Sequence, residues 1–100
     1  MEARRQPSVD GLPGAELVTA GIDDLRAGRD TVSAALARMA APRLRALGFE
    51  VPAVVSEQPG GHRLYELLSE DGAATAHSRY NALVARVVSF ARAAERARRS

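Results

Sequence analysis

Leu17, Val18, Ile22 and Leu25 recur at the three- and four-residue spacing that puts side chains on one helical face. They predict a first helix opening at Pro13, which suits a first turn, and running to about Ala27, with Gly28 as its stop. Gly21 in its middle weakens it. Asp30 or Thr31 then caps a second helix whose apolar stripe is Val32, Leu36 and Met39. Pro42 either kinks this helix or opens a short third one, Pro42 to Leu47, that Gly48 closes.

From Phe49 to Gly61 the pattern changes. Phe49-Glu50-Val51-Pro52 and Val54-Val55 favour extended backbone, and Pro59-Gly60-Gly61 is strong turn chemistry, so residues 49–61 are expected to form a hinge, with room for a short strand. His62 to about Ser69 reads as a helix with Leu64, Leu67 and Leu68 inward, ended by Glu70-Asp71-Gly72. The strongest periodicity lies between about Thr75 and Arg96. There Tyr80, Leu83, Val84, Val87, Ala91 and Ala94 fall on one stripe, with Val88 and Phe90 at its edges. Such a helix would be roughly 33 Å long. The expected architecture is all-α: a single domain over residues 10–98, a bundle of four or five helices. Residues 10–48 form an N-terminal cluster, 49–61 the hinge and 62–98 a C-terminal helical hairpin, preceded by a disordered arm at 1–9.

Composition sharpens this picture. The hydrophobic share of 46% hides twenty alanines, and Leu, Ile, Val and Phe make only 22 of 100 residues, close to the level below which chains stop folding alone. Alanine contributes little transfer free energy beside leucine, so the core is expected to be thin and the longest helix incompletely covered. That favours a second chain, either a different protein or another copy in a homo-oligomer.

The net charge is +2 and all fourteen basic residues are arginine, which together with the alanine excess looks like a GC-rich bacterial coding bias. Residues 1–30 hold four arginines and six carboxylates, whereas residues 62–100 hold seven arginines and four carboxylates, so the C-terminal part is the basic pole. Without lysine there is no phosphate-binding loop of the nucleotide-hydrolase type, and without cysteine there is no disulfide, thiolate metal site or cysteine nucleophile. No apolar run has membrane-spanning length and the first ten residues lack a signal peptide's apolar stretch, so the expected location is the cytoplasm, away from membranes.

Candidate catalytic chemistry is sparse. His77 and Ser78 are neighbours on a helix, pointing about 100° apart, and cannot form a nucleophile–base dyad locally. His62 and Glu66 share a face at metal-ligand spacing, but only His77 offers itself as a third ligand, and a surface polar pair is the simpler reading. Asp23 and Asp24 are adjacent rather than face-sharing and read as solvated surface. Gly60-Gly61 before a helix could in principle hold an anion with Arg63, set against a plain flexible hinge. No catalytic, metal or cofactor-binding residues are expected.

Three segments, Ala41-Pro42-Arg43-Leu44-Arg45-Ala46-Leu47-Gly48, His62-Arg63-Leu64-Tyr65-Glu66-Leu67-Leu68 and His77-Ser78-Arg79-Tyr80-Asn81-Ala82-Leu83-Val84, resemble small uncharacterised actinobacterial helical proteins. These in turn resemble antitoxin-like partners of nucleotidyltransferase-type toxins. The resemblance implies a helical protein that binds and neutralises a larger enzyme and carries no catalytic residue itself.

The expected function is therefore non-catalytic protein binding, as an antitoxin-like or accessory subunit. Tyr65, Tyr80 and Phe90 are the candidate anchors, and Arg79 and Arg86 the flanking charged contacts. An internal core role is an equal reading for Tyr80 and Phe90. The alternative is a nucleic-acid-binding regulator using the arginines of the C-terminal helix.

Overall fold

The computed structural model describes residues 11–53, 59–70 and 72–99, and among them the chain forms four helices and no strand. Helix α1 (Ala15–Ala27) starts after Gly14, whose left-handed φ of 77° turns the chain onto the bundle, and ends at Gly28 with φ 75°. Gly14 also sits where a Cβ would come within 2.8 Å of the Arg86 carbonyl oxygen, so only glycine lets the start of α1 approach the last helix so closely.

Helix α2 (Val32–Ala46) is capped by Thr31, whose hydroxyl oxygen accepts from the Ala34 N–H at 3.1 Å. It continues unbroken through Pro42, so the separate helix from Pro42 to Leu47 does not form. The ring supplies no N–H, but Pro42 faces outward, where water can complete the ladder, and the helix behind it buries Ala41 and Leu44. Gly48, with φ 101°, turns the chain out of this longer helix.

The stretch expected as a hinge is anchored at both described ends. Phe49 and Val51 are buried in the core, and both Arg45 guanidinium nitrogens within reach donate to the Val51 carbonyl at 2.8 and 3.2 Å. No strand forms over 49–53, while Val54 and Val55 lie outside the described residues, as does the arm at 1–9. Gly60 and Gly61 are the first turn of helix α3 (Gly60–Ser69) rather than a hinge. A Cβ on Gly60 would lie 2.9 Å from both the Arg38 Cβ and the Met39 nitrogen, so this glycine serves close packing of α3 on α2. After Gly72, helix α4 (Ala73–Arg99) runs for 27 residues, roughly 40 Å, and sets the 44 Å long dimension of the molecule.

Helix α2 is the centre of the fold, packing against α1, α3 and α4. Two apolar clusters result. One joins Val18, Ile22 and Leu25 of α1 with Leu44, Leu47, Phe49, Val51, Phe90 and Ala94. The other joins Leu36 with Leu64, Leu68, Ala76 and Val87. Ala34, Ala37 and Ala41 of α2 face the first cluster and Ala35 the second; their small side chains let backbones approach, so alanine contributes through proximity more than through area.

The inward side of α4 is covered by the chain itself at Val87, Phe90, Ala91 and Ala94. The shortage of bulky residues thus does not alone demand a second chain; what stays half-covered on α4 is Tyr80, Leu83, Val84 and Val88. No described helix is long and apolar enough to cross a membrane.

Candidate protein-binding surfaces

The five residues expected to meet a partner do not form one surface. Phe90 is fully buried, its ring 5.7 Å from that of Phe49 and tilted by 55°. It is a core residue, because the glycine-led approach of α1 turns this side of α4 inward, and it is not presented to a partner. Arg86 is engaged internally: its guanidinium donates to the carboxylate of Glu16 and ties α4 to the first turn of α1.

Tyr65 and Tyr80 do come together. Their rings lie 5.7 Å apart at 55°, in the tilted geometry that aromatic pairs favour. Tyr65 is the one large hydrophobic residue exposed among the described residues, at 38%, while Tyr80 is half-buried against α3 and the Leu64–Leu68 cluster. Arg79 is exposed beside this pair in sequence.

A second surface escaped the sequence. Between α2 and α4 an apolar groove of about 200 Å³ opens, with Leu36, Met39, Ala40 and Leu44 on one wall and Val84, Val87, Val88 and Ala91 on the other. Arg43 stands at its edge and holds Glu95 with two hydrogen bonds, Nε to Oε2 at 2.8 Å and Nη2 to Oε1 at 3.0 Å. That carboxylate raises the already high affinity of Arg43 for its proton. Beyond it, Arg98 donates to the Ala46 carbonyl at 2.6 Å, securing the end of α4 to the end of α2. The groove was hidden because its walls come from segments some forty residues apart, each reading as an ordinary core stripe. Val84 and Val88 were the only hint.

Other charged residues serve the fold. Arg63 reaches Asp30 and, at 3.2 Å, Glu66; these bonds raise its pKa, the Asp30 contact most, and the same contact holds Asp30 below the usual carboxylate range. Arg63 is therefore engaged with carboxylates rather than poised over the start of α3 for an anion. Asp24 is lowered likewise, first by the Thr31 hydroxyl and then by Arg29.

The histidines stay apart from such chemistry. His62 Nε2 lies 3.6 Å from Glu66, and His77 Nε2 lies 3.3 Å from the Asn81 amide, both on exposed surface. No group of three or more His, Asp or Glu side chains able to hold a metal ion occurs among the described residues.

The chain matches no family model, no curated protein and no solved structure.

Proposed function

We propose that this chain is a non-catalytic protein-binding module, an antitoxin-like or accessory subunit that regulates a larger partner through the α2–α4 groove. The observation carrying this reading is the row of half-covered apolar side chains, Met39, Ala40, Val84 and Val88, above the buried floor of Leu36, Leu44 and Ala91. Apolar surface gathered into a concave strip is the usual seat of an incoming helix.

The competing reading, a nucleic-acid regulator, would draw on Arg92, Arg96 and Arg98 near the end of α4. Two features favour the protein reading. Arg43, Arg63 and Arg86 are engaged with carboxylates, and Phe90, the aromatic nearest the terminal arginines, is buried and offers no face on which a base could stack.

The test begins with co-purification of the full chain from its native cells, followed by reconstitution of the complex from the two purified proteins. Val88→Glu is expected to abolish that complex while the helical circular dichroism and melting temperature stay near those of the parent. Tyr65→Ala is expected to leave it intact. A reconstituted complex insensitive to Val88→Glu, or a chain that retains no protein but binds duplex DNA with a steep salt dependence, would overturn the proposal.

A further inference from the structure

We draw no further inference here: the strongest candidate, the apolar groove between α2 and α4 with the Arg43–Glu95 pair at its edge, carries none because nothing in the structure shows what covers it.

Discussion

The Thr31 hydroxyl donates to the Asp24 carboxylate at 2.6 Å while its oxygen accepts from the Ala34 N–H, so one side chain caps α2 and clasps it to α1. Arg29 completes the turn by donating from Nε to the other Asp24 oxygen at 2.8 Å. Replacing Thr31 with alanine removes both roles. The expected cost is about 1 kcal/mol, typical of a lost N-cap, and thermal denaturation should register it as a fall of about 4–8 °C for a domain of this size. Thr31→Ser keeps the hydroxyl and should recover most of it.

Acid should loosen the same region. Asp24 and Asp30 both ionise below the usual carboxylate range, Asp24 because of Thr31 and then Arg29, Asp30 because of Arg63. A folded-state pKa below the unfolded one contributes stability that is complete above the unfolded value, about 3.9 for Asp, and is lost as pH falls through the lower folded value. Melting temperatures should therefore decline as pH drops below about 4. The decline should be shallower in a variant carrying Asp24→Asn and Asp30→Asn; an identical acid profile for the two proteins would contradict the assignment.

Gly21 marks the closest approach of α1 to α2. A Cβ there would meet the Ser33 carbonyl oxygen at 2.3 Å and the Ala37 Cβ at 2.9 Å, and a backbone oxygen cannot swing aside as a side-chain tip can. Gly21→Ala, which would strengthen an isolated helix by up to about 1 kcal/mol, should instead destabilise the protein by about 3 kcal/mol, at the upper end of overpacking costs. Chemical denaturation decides between the two signs.

Pro42 offers the opposite prospect. It sits exposed inside α2, where proline costs about 3 kcal/mol relative to alanine in a helix interior. Pro42→Ala should raise stability by about 1–3 kcal/mol, with no loss of helical circular dichroism. A drop in melting temperature would mean that the restricted backbone of proline at this position helps to seat Leu44 and Leu47 in the core.

Much of this fold is legible in the sequence. Gly28, Thr31 and Gly72 punctuate the helices where local backbone chemistry dictates, because caps and left-handed turns depend on near neighbours alone. Pro42 misleads because a proline's penalty is local, whereas the burial of Ala41, Leu44 and Leu47 that outweighs it is tertiary. Phe90 is placed at the edge of the α4 stripe by periodicity but at the centre of the core by packing, since Gly14 admits α1 on that side.

The alanines hide the most. Ala34, Ala35, Ala37, Ala41 and Ala76 are buried at helix contacts, yet alanine is as much at home on a surface, so nothing in the pattern distinguishes Ala35 from Ala82. The groove is invisible for a related reason. It depends on how far apart two helices stand, which no single stripe records, since its lining residues, Ala40 and Ala91 among them, each read as ordinary helix positions.

Both apolar clusters draw on α2: Ala34, Ala37, Ala41 and Leu44 belong to one, Ala35 and Leu36 to the other, and Ala40 touches both. Neither half of the molecule owns a complete wall. Melting either cluster strips the other of the backbone it leans on, so heat should dissolve the two together, in one calorimetric peak whose van't Hoff and calorimetric enthalpies agree.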